Sequence, residues 1–260
     1  MKTVIKLILI YYLLQIFGSL VAAPCVMVYE FATTGTLDVT AASTEVIIPA
    51  MLLGFVFIAI YLWKNGYLVD DGRIYAFTPY SQLGWGLLAG VSGICLTDAL
   101  MSQLTFLPDL MKQTFDTLQS GWVGILCIAL IGPVLEEFVF RRAVMKALLQ
   151  KHSPAVSILI SGLLFGVVHL NPAQIVSASL MGFLLAWIYW HTRSLIPCIL
   201  IHVLNNSLSV YLSLNYPEVE TTAELLGNSV LISEAVLALA LFLLSIKKLS
   251  VTKHTTNIEA

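Results

Sequence analysis

Long apolar runs recur along nearly the whole chain and constrain its fold more than any other feature. Eight of them approach the roughly 20 residues that a helix needs to cross the hydrocarbon core of a bilayer. Only 11% of the residues are charged, and a soluble domain usually carries about a quarter. A lipid environment explains the shortage, because a charge in hydrocarbon is costly. The sequence therefore predicts an all-α, polytopic transmembrane helix bundle with about eight spans, at residues 4–28, 45–63, 82–104, 121–149, 155–170, 173–190, 194–214 and 228–246.

The basic residues indicate how these spans are oriented. The chain has 13 Lys and Arg residues, and only Lys112 falls in an outer segment if the N terminus is cytoplasmic. Such an asymmetry is the one that the positive-inside rule describes. We therefore predict that both termini are cytoplasmic. The net charge of −2 gives no reason to expect a nucleic-acid partner.

The first apolar run also has features of a signal peptide. Lys2 and Lys6 begin it, and small residues end its core near residue 23. However, Pro24 would directly follow the cleavage position, where we expect poor cleavage, and the apolar run continues beyond it. We therefore expect an uncleaved first helix.

Four charges interrupt the fourth apolar run, in the stretch PVLEEFVFRRA at residues 133–143. Polar residues inside a span are functional candidates by default. Glu136 and Glu137 point about 100° apart on a helix, so both can border one cavity. Glu137 and Arg141 are spaced i,i+4 and can pair on one face. Arg141 would then keep one carboxylate ionised and leave the other to exchange protons, which suits general acid and base catalysis.

Two neighbours of the glutamates have other predicted roles. Pro133 has no N–H group, so it should free the carbonyl of Ala129 and kink the helix. A free carbonyl at membrane depth must find a donor or face a wet cavity. Arg142 is predicted to mark the cytoplasmic end of the helix.

Three further polar residues lie in later apolar runs. His169 is near the end of the fifth run, and His202 and Asn206 are spaced i,i+4 on one face of the seventh. If the chain turns near His152, Glu136 lies 16 residues before the turn and His169 lies 17 after it. In an antiparallel helix pair these positions are level. We therefore predict that the fourth, fifth and seventh helices bring these side chains into one layer, within the membrane and open toward the cytoplasm.

These residue types suit the activation of water and the hydrolysis of a carbonyl compound. A glutamate can take a proton from water, and histidine or asparagine N–H groups can stabilise the developing oxyanion. No serine or cysteine lies in a nucleophile motif, and the lack of an HExxH sequence excludes a standard zincin. Two possibilities stay open: water activated by glutamate alone, or water on a zinc-like divalent metal held by His169, His202 and Glu136.

The order of these motifs resembles a known family. EExxxR, FxxxH and HxxxN occur in this order on separate apolar runs, and this set is similar to that of the CPBP family. The family includes the type II CAAX prenyl proteases and the bacterial Abi, or bacteriocin-processing, proteins. The resemblance covers residues 121–214, and the motif residues are Glu136, Glu137, Arg141, Phe165, His169, His202 and Asn206.

The resemblance implies a role for each matched polar residue. Members of this family are often labelled metalloproteases. Glu136 and His169 would activate water, Glu137 and Arg141 would orient the site, and His202 and Asn206 would form an oxyanion hole.

The resemblance implies a division of the chain into three parts. Residues 1–120 would form three spans and an outer amphipathic segment at 107–118, residues 121–214 the catalytic core, and residues 215–260 the last span and a short cytoplasmic tail. The expected function is an intramembrane endopeptidase that acts on a membrane-associated protein or peptide, in the plasma membrane of a bacterium. The alternatives are a proton-coupled transporter, since membrane carboxylates and histidines also build proton relays, and a non-catalytic protein of the bacteriocin-immunity type.

Overall fold

The computed structural model describes residues 1–36, 38–69 and 79–251, and all regular secondary structure in these ranges is helical. Seven helices there are long and apolar enough to cross a membrane. The predicted all-α, multi-pass membrane fold is therefore confirmed. The helices are α1 Lys2–Thr34, α2 Val39–Glu45, α3 Ile47–Lys64, α4 Tyr80–Met101, α5 Lys112–Gln119, α6 Trp122–Leu149, α7 Pro154–Val167, α8 Pro172–Thr192, α9 Ile196–Asn215, α10 Thr222–Leu226 and α11 Asn228–Val251.

The fifth predicted span, residues 155–170, is the short helix α7. Its 14 residues extend about 21 Å at 1.5 Å per residue, which is less than the ~30 Å of a hydrocarbon core. Ser153 caps its N terminus by accepting a hydrogen bond from the Val156 amide, and Pro154 occupies the first turn. Helix α8 begins at Pro172, one residue before the predicted sixth span.

Some boundaries differ from those predicted. Helix α1 continues through Pro24 to Thr34 and so is longer than the predicted run. The outer amphipathic segment is helical only over Lys112–Gln119, because Pro108 and the residues around it do not continue a helix. Most of the predicted cytoplasmic tail, residues 252–260, lies outside the described residues.

The described chain forms two compact units, and the first contains Met1–Asp70, Leu110–Lys151 and His202–Asn215. Within it, α1 and α3 approach closely at Gly18. A Cβ atom at Gly18 would lie 2.6 Å from the Gly54 amide nitrogen and 2.7 Å from the Ala50 carbonyl oxygen. Small residues allow membrane helices to pack at such short range. This contact fixes α1, which carries Tyr11, against α3.

Replacing Gly18 by Ala should destabilise the first unit, since the added methyl group would collide with backbone atoms that cannot rotate away. The expected cost is about 1–3 kcal/mol, as for other overpacked sites. Thermal unfolding in detergent should show a lower Tm. Gly84→Ala on α4 is the matched control, because a Cβ atom there has nothing within 4 Å. Equal Tm values for the two variants would contradict the tight α1–α3 contact.

In the same unit, a small apolar cluster packs α6 against its neighbours. Leu118, Ile128 and Val210 are buried together, and Phe115 and Ile125 pack against them. Val210 lies one helical turn after Asn206 on α9. The cluster therefore holds the C-terminal part of α9 against α6, and it sets the position of the polar residues that both helices carry.

The second unit contains Asp71–Asp109, His152–Ile201 and Tyr216–Ala260. Helix α7 packs against α8, and glycines make the contact close: a Cβ atom at Gly182 would lie 2.9 Å from the Gly162 carbonyl oxygen. Helix α4 packs against α8 and α11. Helix α9 begins in this unit and ends in the first.

Candidate active site

Helix α6 is not a regular α-helix where it carries the two glutamates. Cys127–Ile131 and Phe138–Val144 are π-helical, and the α-helical segment Gly132–Glu137 lies between them. Each π segment adds a residue to the turn, and such bulges occur frequently at functional sites. Glu136 and Glu137 end the α-helical segment, so the irregular backbone sets their direction.

The first π segment leaves one backbone carbonyl without its helical donor. The Gly132 amide donates to the Cys127 carbonyl, five residues earlier, and Pro133 has no N–H group to offer. The Ile128 carbonyl therefore loses both usual donors, and Asn206 Nδ2 on α9 donates to it over 3.0 Å. The sequence predicts that Pro133 frees the carbonyl of Ala129, whereas the carbonyl that Asn206 contacts is that of Ile128, one residue earlier.

A buried line of polar side chains joins α6 to α9. Arg141 Nε lies 3.1 Å from Glu137 Oε2, which is the i,i+4 ion pair predicted from the spacing. Glu137 Oε1 lies 2.9 Å from His202 Nδ1. The Glu137 and Arg141 side chains are fully buried, and that of His202 is 4% exposed. Because burial of an isolated charge is costly, each member of this line compensates its neighbour.

The line fixes the protonation pattern of the His202 ring. An ionised carboxylate only accepts hydrogen bonds, so in this pair His202 Nδ1 carries the proton and donates the hydrogen bond to Glu137. In the neutral ring Nε2 then has a lone pair, and it lies 3.7 Å from Glu136 Oε2. His202 Nε2 can therefore donate to an oxyanion only when the imidazole is protonated on both nitrogens.

Glu136 differs from Glu137 in its exposure. Its side chain is 20% exposed, whereas that of Glu137 is fully buried. Its Oε1 atom lies 3.5 Å from the Tyr11 hydroxyl group, which donates to it. Of the two carboxylates, Glu136 is thus the one that water or a substrate can reach.

The amide of Asn206 is held in one orientation by two hydrogen bonds. Its Nδ2 donates to the Ile128 carbonyl, and its Oδ1 accepts from Asn205 Nδ2 over 3.1 Å. Nδ2 has two N–H groups, so it retains a second one for another acceptor. The motif HxxxN gives no sign of a role for Asn205, although it precedes Asn206 directly.

His169 lies in the second unit, just after the end of α7. Its Nδ1 donates to the Phe165 carbonyl over 2.8 Å, and the two rings pack edge to face at 5.2 Å. Nε2 of the neutral ring is therefore an acceptor. Leu170 follows with φ of 55°, a conformation that is uncommon for a residue with a side chain. The fully buried Asn171 then donates to Asp109 Oδ1 over 2.8 Å and anchors this turn.

Arg142, which is predicted to mark the cytoplasmic end of the helix, is buried. It is 2% exposed, and its guanidinium group donates to the carbonyls of Val69 over 2.9 Å and Tyr67 over 3.4 Å. After α3 the chain forms turns, and the backbone carbonyls of these turns require hydrogen-bond donors. Arg142 supplies them and ties this segment to α6.

A metal ion would need more ligands than the first unit offers. In the described parts of the chain, no group of three or more His, Cys, Asp or Glu side chains could hold one. Within the first unit, Glu137 and His202 Nδ1 are committed to each other, which leaves His202 Nε2 and Glu136. Catalytic zinc usually has three protein ligands. The described residues of the first unit therefore do not supply a complete ligand set for catalytic zinc.

The region that carries the motif residues is similar to known proteins. Residues 118–208, which contain all six polar motif residues, match the family described as "Type II CAAX prenyl endopeptidase Rce1-like". The chain is also similar to a protein of Bacillus subtilis (strain 168) named "Putative membrane peptidase YdiL". The two are 32% identical over 111 residues, which is 41% of this chain and 46% of the relative.

The chain thus spans about half the length of this curated relative. No solved structure matches the chain significantly. The family match confirms the resemblance to CPBP proteases that the three motifs indicate. Over residues 118–208, the chain is similar to the Rce1-like family of type II CAAX prenyl endopeptidases.

Proposed function

We propose that the protein is an intramembrane endopeptidase that hydrolyses a peptide bond of a membrane-associated protein or peptide. The observation that carries this proposal is the partly exposed carboxylate of Glu136 beside the buried line of Arg141, Glu137 and His202. The Rce1-like family and a relative named as a membrane peptidase support the reaction class.

In the proposed reaction Glu136 acts first as a general base. It removes a proton from a water molecule, and the resulting hydroxide adds to the carbonyl carbon of the scissile peptide bond. We propose, on the FxxxH motif alone, that His169 helps to hold this water. The carbonyl oxygen becomes an oxyanion, and protonated His202 together with the second N–H of Asn206 stabilises it.

Glu136 then acts as a general acid. When the tetrahedral intermediate collapses, the C–N bond breaks and the leaving nitrogen receives the proton that Glu136 had taken from water. The products are a carboxylic acid and an amine, and Glu136 returns to its ionised form. Glu137 and Arg141 do not exchange protons in this scheme; they keep His202 oriented.

A peptide-cleavage assay with and without a chelator tests the proposal. We expect the purified protein in liposomes to cleave a fluorogenic peptide with a farnesylated CAAX-type C terminus, or its unprenylated form carrying another lipid anchor. Cleavage should continue in 1,10-phenanthroline, because glutamate activates the water. Loss of cleavage with chelator and its recovery with zinc would overturn the metal-free mechanism. Failure to cleave any lipid-anchored peptide would overturn the proposed endopeptidase function. Proton-coupled uptake into the liposomes would in that case support a transporter.

A further inference from the structure

Tyr11 contacts the proposed base from a helix that lies outside the region matched to the family. It is on α1, and 125 residues separate it from Glu136 in sequence. It is 8% exposed, and its hydroxyl group lies 3.5 Å from Glu136 Oε1. An ionised carboxylate has no proton to give, so the phenol is the donor.

Packing holds the Tyr11 ring in this position. The ring of Phe140, one helical turn after Glu136, meets it edge to face with centroids 6.2 Å apart and planes 72° apart. The close approach at Gly18 fixes α1 against α3. Helix α3 in turn meets α6, where a Cβ atom at Gly132 would lie 3.4 Å from the ring of Phe55. The hydroxyl group is therefore presented to Glu136 by rigid elements.

Tyr11 and His202 contact different oxygens of the same carboxylate. Oε1 of Glu136 accepts from Tyr11, and Oε2 lies 3.7 Å from His202 Nε2. A glutamate side chain has three rotatable bonds, and this one is partly exposed. The neutral His202 ring presents only a lone pair to Oε2, so the Tyr11 hydroxyl group supplies the donor that limits rotation of the carboxylate.

We propose that Tyr11 is a positioning residue that holds the Glu136 carboxylate in the plane required for proton transfer. This inference rests on the proposed function, and it adds a residue of α1 to the site formed by α6 and α9. A reacting group displaced by about 1 Å can slow a reaction about 100-fold. Loss of the hydrogen bond that limits this rotation should have a smaller effect, of about tenfold on kcat.

The test is Tyr11→Phe, which removes the hydroxyl group and keeps the ring against Phe140. With the anchored fluorogenic peptide, we expect kcat to fall about tenfold and KM to change less than about twofold. Tyr29→Phe is the matched control, since Tyr29 is on the same helix and is 66% exposed. An unchanged kcat for Tyr11→Phe, or an equal loss for Tyr29→Phe, would overturn the positioning role.

A second measurement separates this inference from the proposed function. Loss of the hydrogen bond should lower the Tm of Tyr11→Phe by about 2–4 °C. In a Glu136→Ala background the same substitution should change the Tm by less than about 1 °C, because the acceptor is already absent. Equal Tm shifts in the two backgrounds would overturn the Tyr11–Glu136 contact even if cleavage occurs. The Tm shifts could also differ as expected while no peptide is cleaved. The contact would then stand, but the proposed function would fail, and with it the positioning role of Tyr11.

Discussion

Glu136→Gln should reduce peptide cleavage by about 10²–10⁴-fold, the range that a positioned general base contributes. The amide has the same size as the carboxyl group and can still accept from Tyr11. It cannot remove a proton from water, however, and it cannot return one to the leaving nitrogen. The Glu136 side chain is 20% exposed, so the protein should fold normally with an amide at this position.

The measurement is kcat/KM for the anchored fluorogenic peptide in liposomes, together with Tm in detergent. Glu234→Gln is the matched control, because it removes a carboxylate from another transmembrane helix, α11, in the second unit. We expect it to leave cleavage within about twofold of the unmodified protein. Cleavage by Glu136→Gln at the original rate would exclude Glu136 as the base, and with it the proposed mechanism.

The sequence predicted the transmembrane helices because their signal is local. A run of about 20 apolar residues is a sufficient condition for a span, and the end points of α6 and α9 lie within two residues of those predicted. The ion pair between Glu137 and Arg141 could also be predicted. Both residues are on one helix, and their i,i+4 spacing alone brings them together.

The remaining features of the site depend on contacts that no local pattern encodes. Tyr11 is one of two adjacent tyrosines in an apolar run, and only the packing of α1 brings its hydroxyl group to Glu136. The burial of Arg142 depends on turns about 75 residues earlier in the chain. The donor role of Asn206 toward Ile128 depends on π-helical turns, for which a sequence gives no clear signal.

Arg141→Met should destabilise the protein by about 3–5 kcal/mol, because it leaves the carboxylate of Glu137 buried without its counter-charge. Glu137→Gln should cost a similar amount, since it removes the carboxylate that pairs with the buried guanidinium of Arg141. Both side chains are fully buried, so neither residual charge can reach water. Thermal or denaturant unfolding in detergent measures the loss.

The double variant Glu137→Gln/Arg141→Met separates stability from catalysis. It contains neither charge, so we expect it to recover a large part of the stability that each single variant loses. It should not recover cleavage, because an amide at position 137 does not hold the proton on His202 Nδ1 as a carboxylate does. Removal of an orienting partner from a catalytic histidine costs about 10⁴-fold in a well-studied triad. A double variant that is stable and fully active would mean that the ion pair only supports the fold. One that is stable and inactive would mean that Glu137 and Arg141 act on the reaction through His202.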